Sequence, residues 1–160
     1  MATEKLKFKL ELYATMWDRP PHVEILIDKK SHFNSDVTGT EDKPDLIEFE
    51  AEFEEDKQYN LIINRSGKDN NQTIVNDKGH LLKDQMLHIK SMEIDEIDIG
   101  ALVYEGIYTP QYPEPWATQQ RQAGTDLKES FKNVTIMGHN GKWQFTFESP
   151  FYMWLLENLY

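Results

Sequence analysis

The sequence predicts an all-β protein, an antiparallel, jelly-roll-like β-sandwich built as a single domain over residues 1–160. Two observations carry this. Apolar residues recur at period two in segment after segment, and polar, turn-forming clusters separate those segments. No stretch sustains the 3.6-residue period of an amphipathic helix, so a helical bundle is excluded.

The first strand is Lys5 to Tyr13, with Leu6, Phe8, Leu10 and Leu12 on one face and charges between them. Asp18-Arg19-Pro20-Pro21 punctuates the chain. Val23, Ile25 and Ile27 then mark a second strand, in which Leu26 breaks the alternation, as a covered outer face would. The polar stretch from Lys29 to Pro44 reads as a loop. Ile47, Phe49, Ala51 and Phe53 alternate with Glu48, Glu50 and Glu52, and this acidic outer row discourages edge-to-edge pairing. Glu54 to Lys57 reads as a hairpin turn into a return strand through Tyr59, Leu61 and Ile63, a meander in one sheet. Ser66 to Asp84 is polar and reads as a loop. Period two resumes through Leu87 and Ile89 and shifts phase near Asp95-Glu96, as at a bulge or turn. Leu102, Tyr104 and Ile107 suggest a further strand. Residues 109–130 form a long loop or docking insertion, in which Pro110, Pro113 and Pro115 interleave with Tyr112 and Trp116. Asn140-Gly141 is a hairpin turn signal leading to a strand through Trp143, Phe145 and Phe147. Residues 150–160 form an apolar tail, either a short helix or a last strand, that closes the core or contacts another subunit.

Composition narrows the function. With 28 acidic and 17 basic side chains, the formal net charge is -11. Such a surface repels phosphate backbones and anionic lipid, which argues against nucleic acid and membranes as partners. The sequence has no cysteine, so disulfides, thiolate metal sites and cysteine nucleophiles are excluded. Lysines interrupt the apolar residues of the first twelve positions, so no signal peptide is expected there.

Three features could carry chemistry. The first is the loop holding Asp69, Asn71, Asp77 and Asp84. Carboxylates and amides of this kind can hold calcium, which takes six to eight oxygen ligands, and equally they make an ordinary solvated turn. The second is the set of large aromatics. Trp143 is in phase with Phe145 and Phe147 and belongs to the core, whereas Trp17, Tyr112, Trp116 and Trp154 are candidates for stacking on a sugar ring or docking on a protein. The third is the tail itself. The five histidines are scattered, His88 is out of phase with its apolar neighbours and faces solvent, and no catalytic constellation can be read.

The order of a strand, an Asp/Asn-rich loop, Asp84-Gln85-x-Leu87-x-Ile89 and Met92-Glu93-Ile94-Asp95 resembles the calcium-dependent xylan-binding type of carbohydrate-binding module. The likeness spans about residues 6–99; the proline-aromatic loop and the tail have no counterpart in it. It implies a non-enzymatic β-sandwich with calcium as cofactor, a polysaccharide as ligand, and Asp69, Asn71, Asp77 and Asp84 as calcium ligands. Similar modules decorate tailed-phage particles, and the chain resembles a structural phage virion protein. That likeness implies synthesis in a host cytoplasm, residence in the virion, and other virion proteins or further copies of itself as partners. A free-standing carbohydrate-binding module and a glycan-processing enzyme are the alternatives.

Overall fold

A computed structural model describes residues 2–68, 74–78, 80–99 and 106–159. Two antiparallel sheets face each other. The first is formed by β1 (Thr3–Thr15), β4 (Asp45–Glu54), β8 (Met86–Ile94), β9 (Ile97–Asp98) and β12 (Ile136–Met137), in the order β12-β8-β1-β4 with β9 also paired to β8. The second holds β2 (His22–Ile27), β3 (Lys30–Asp36), β5 (Lys57–Ser66), β10 (Ile107–Pro110), β11 (Phe131–Lys132) and β13 (Gly141–Ser149), in the order β11-β10-β13-β5-β2-β3. A small ribbon of β6 (Ile74–Val75) and β7 (Leu81–Lys83) lies apart from both. The expected β-sandwich is therefore the fold.

The alternating strands behave as their period requires. In β1, Leu6, Phe8, Leu10 and Leu12 are fully buried, and Val23, Ile25, Leu61, Ile63, Trp143, Phe145 and Phe147 face them from the other sheet. Rings join the two layers: Phe147 lies 6.1 Å from Phe8 and 5.5 Å from Phe53 between centroids. On the solvent side, β1 sets Lys5, Lys7 and Lys9 opposite Glu52, Glu50 and Glu48 of β4. The acidic row read from the sequence does lie on an edge strand, and its charges are balanced along a cross-strand ladder.

Four local readings are corrected. First, the stretch after Lys29 is not wholly loop, because residues 30–36 form edge strand β3. Phe33 is its one large apolar side chain, packed against the core, and the other residues are polar, so period two never shows. Second, Glu54 to Lys57 is not a hairpin within one sheet: β4 pairs with β1, while β5 pairs with β2 and β13, so the chain crosses from layer to layer. Phe53 and Tyr59 meet edge to face inside this crossing, 4.7 Å apart. The inward residues of both strands thus stay in the core, which hydrophobic pattern alone cannot distinguish from a hairpin. Third, Asn140-Gly141 also joins strands of different sheets. Gly141 is needed there because a Cβ would sit 2.3 Å from the carbonyl oxygen of Thr109. Fourth, the polar stretch before Asp84 includes the β6–β7 ribbon. The phase shift in β8 has two sources: a bulge after Ile89 and a turn in which Asp95 and Glu96 both take positive φ. Leu102 and Tyr104 lie outside the described residues.

Two helices complete the chain. Helix α1 (Trp116–Gln122) sits within the long proline-aromatic segment and was not legible as helix. Pro115 precedes it, and Gly124, at φ 90°, ends it: the Thr125 N–H bonds Gln120 O and the Gly124 N–H bonds Arg121 O. Helix α2 (Phe151–Leu159) resolves the tail as a helix. Phe151 and Leu155 close the core, and Trp154 packs edge to face on Phe145 at 5.6 Å. Tyr152, Met153 and Leu156 remain exposed.

Candidate functional site

At one end of the sandwich, the connections leaving β5, β7, β10 and β12 converge on a cleft of about 770 Å³. Its wall includes Lys68, Asp84, Tyr112, Trp116, His139 and Asn140.

The aromatic side is built by the proline-rich segment. Tyr112 and Trp116 are brought together across Pro113 and Pro115, with ring centroids 6.1 Å apart. His139 arrives from the turn before β13 and lies 5.2 Å from Tyr112 and 5.4 Å from Trp116. The Tyr112 hydroxyl donates to Lys128 O at 2.6 Å, tying the start of this segment to its far end. Behind the cluster, the Tyr108 hydroxyl donates to His139 O at 2.7 Å and accepts from His139 N at 2.9 Å, fixing the histidine backbone. Burial pushes the Tyr108 phenol up to about 12. Burial also holds the His139 imidazole below its ordinary range, helped by the charges of Lys68 and Arg65 and opposed by Asp84. A neutral ring at neutral pH follows.

The polar side is an interlocked set. Lys68 Nζ donates to Asp84 Oδ1 at 2.7 Å and to Gly138 O at 2.5 Å, and the two side chains are only 9% and 14% exposed. Asn140 holds the Lys68 backbone from both sides, accepting from Lys68 N at 3.0 Å and donating to Lys68 O at 2.8 Å. The same Asn140 oxygen accepts from Arg65 Nη1 at 2.9 Å, and Arg65 Nη2 donates to Gln85 O at 2.6 Å. Arg65 is 1% exposed, and burial lowers its guanidinium to about 10. It remains charged at neutral pH.

Of the residues singled out from sequence, Asp84, Tyr112 and Trp116 meet in this cleft. Trp17 lies in a separate groove with Leu81 and Leu82; it is 39% exposed, and Lys83 Nζ stands 3.4 Å above its ring. Trp154 packs against the core from α2. Asp77 is exposed on the turn of the β6–β7 ribbon, and Asp69 and Asn71 lie outside the described residues. The residues missed were Lys68, His139 and Asn140. They are ordinary residue types far apart in the chain, and only the sheet-switching connections unite them. His88 lies on the outer face as expected, half-buried because it stacks on Tyr13 at 4.4 Å.

Calcium requires six to eight oxygens around one point. Among the described residues, no three carboxylates or histidines come together to hold a metal, and the Asp84 carboxylate already carries the Lys68 ammonium. The described residues do not fit a calcium centre.

No family model and no curated protein matches the sequence. Among solved structures, the chain is similar to the selenomethionine form of vCBM60, described with two families of calcium-dependent carbohydrate-binding modules linked by circular permutation. The TM-score is 0.51 at 6% identity, over 88% of this chain and 89% of that one. vCBM60 in complex with galactobiose aligns at a TM-score of 0.49 and 7% identity, over 87% of this chain and 96% of that one. At such identity the likeness is one of fold.

Proposed function

We propose that this protein is a non-catalytic glycan-binding module whose binding surface is the Tyr112–Trp116–His139 cleft. The observation that carries the reading is the joining of two unlike walls. One wall offers ring faces on which the C–H face of a sugar can stack. The other presents to its hydroxyls the polar groups of Lys68, Asp84 and Asn140, held in place by their mutual hydrogen bonds. A largely apolar cleft with a few convergent polar groups is the usual form of a small-ligand site. A sandwich fold shared with vCBM60 is consistent with this role.

A glycan-processing role is less well supported. Glycoside hydrolysis ordinarily uses two carboxyl groups flanking the scissile bond. Among the described residues lining the cleft, Asp84 is the one carboxylate, and it is ion-paired.

The test is titration calorimetry against neutral and acidic oligosaccharides, with tryptophan fluorescence as a second readout. Saturable binding is expected, and Trp116→Ala should weaken it roughly tenfold to a hundredfold, at about 1–3 kcal/mol for a lost stacking platform, with unfolding unchanged. Absence of binding to every glycan by a folded wild-type protein overturns the reading.

Attachment to a larger particle, such as a phage virion, is a second reading, favoured by the exposed Tyr152, Met153 and Leu156 on α2. It predicts oligomers by sedimentation that dissociate in the double variant Met153→Glu, Leu156→Glu. A wild-type monomer at all concentrations, indifferent to mixing with particle proteins, removes it.

A further inference from the structure

We propose that recognition in this cleft is independent of calcium, because the Lys68 ammonium supplies the fixed positive charge that a metal ion would otherwise bring to the sugar. This rests on the glycan-binding reading above and specifies its chemistry.

The argument begins with what converges on Lys68 Nζ. A carboxylate oxygen of Asp84 and the carbonyl oxygen of Gly138 both point at it, at 2.7 and 2.5 Å. These are hard oxygen ligands of the kind calcium takes, and here they are gathered around an ammonium. A divalent ion bound to the same oxygens would stand within a few ångströms of Nζ, in a site largely withdrawn from solvent. Like charges at such a distance repel strongly at the effective dielectric of a protein. The metal could enter only by expelling the lysine.

The lysine is poorly placed to leave. Asn140 grips both its backbone N–H and its carbonyl, so the base of the side chain is anchored. Asp84 is oriented in turn by accepting the Gln85 N–H at 2.8 Å. The Arg65 guanidinium lies just behind, bonded to the same Asn140, and adds a second positive charge against metal entry. The charge of Lys68 reaches across the cleft as well, since it helps hold the His139 imidazole neutral.

An ammonium has three N–H donors. Among the described residues two are taken by Asp84 and Gly138, and Lys68 lines the cleft, so the third is directed to a ligand oxygen. A sugar hydroxyl or a uronate carboxylate stacked on Trp116 would find there a charged donor of fixed position. The cation is thus written into the chain.

The experiment measures affinity for galactobiose, xylohexaose and a galacturonate oligomer, each in millimolar calcium and in excess chelator. Thermal unfolding is followed in both conditions. The expected result is binding of at least one probe, equal within about twofold with and without calcium, and an unfolding midpoint that calcium does not move. Lys68→Met should lower affinity roughly tenfold or more, the loss expected for one charged hydrogen bond. Lys68→Met combined with Asp84→Asn removes the pair without stranding a buried carboxylate, and this folded variant should bind as weakly as the single one. Binding in calcium that chelator abolishes overturns the inference while leaving the glycan reading intact. So does a calcium-dependent rise in the midpoint. Failure of every probe in both conditions overturns the two together.

Discussion

Tyr108 illustrates how much one hydroxyl can organise. It is buried beneath the cleft, donates to the carbonyl of His139 and accepts from its N–H, so it acts as a clamp on the one histidine that faces the aromatic pair. Removing that oxygen leaves two backbone groups short of a partner in a place where water competes poorly. Tyr108→Phe should therefore cost about 1–3 kcal/mol of stability by urea unfolding, with a further loss of glycan affinity as His139 loosens. An affinity unchanged in the variant would show that His139 is placed by Tyr112 and Trp116 alone. The aromatic half of this site was legible, because Tyr112 and Trp116 stand among prolines in a segment too long for a plain connection. The polar half was not. Asp84 apart, its members Lys68, His139 and Asn140 are unremarkable singly, and nothing in their spacing says that an asparagine at a turn will hold a lysine seventy-odd residues away.

Among the elements, the strands with one buried face announced themselves, and those without one did not. β1, β4 and β13 were plain from period two, whereas β3 places only Phe33 against the core and the β6–β7 ribbon is exposed throughout, so neither carries the pattern. The connections were misread for a different reason. A tight charged turn looks the same whether it closes a hairpin or carries the chain to the opposite sheet, since either keeps the apolar residues inward. Helix α1 was too short for periodicity to register. Helix α2 shows a further device. The Glu4 carboxylate accepts from the Phe151 N–H at 2.8 Å and from the Ser149 hydroxyl, so a residue of the first strand caps the last helix. An acceptor at a helix start satisfies an otherwise unpaired donor. Glu4→Ala should lower stability by about 1 kcal/mol. It should also raise hydrogen exchange selectively in α2; uniform exchange across the chain would mean that the helix is held by Phe151 and Leu155 packing alone.

For the molecule as a whole, the histidines set the response to acid. Burial lowers the affinity of His32, His88 and His139 for protons, so each binds protons less well folded than unfolded. Their contribution is present above the unfolded value of 6.5 and is lost as pH falls through and below it. His22 works the other way: Asp36 and Asn34 raise it, so its contribution is complete below 6.5 and lost as pH rises through the folded value. Three against one, the urea midpoint should fall between about pH 7.5 and about pH 5.5, and His139→Asn should flatten that slope. A midpoint that rises on acidification would mean that His22 dominates. Over the same scale, the sandwich itself was the most legible property of the sequence, since it follows from the sum of alternating segments and survives errors in any single connection.

The position of β13 also bears on how the chain is made. It lies in the interior of the second sheet, between β10 and β5, yet it is the last of the described strands in chain order. Until residues 141–149 are available, β5 and β10 each present an open row of N–H and C=O groups, together with the apolar faces meant for Phe145 and Phe147. Assembly of this sheet must wait until residues 141–149 have been made, and its long-range pairings form on the order of milliseconds to seconds. During that interval the nascent protein is at its most adhesive. A chain ended at residue 140 should be recovered in inclusion bodies, and restored to solution by supplying the missing strand as a separate peptide.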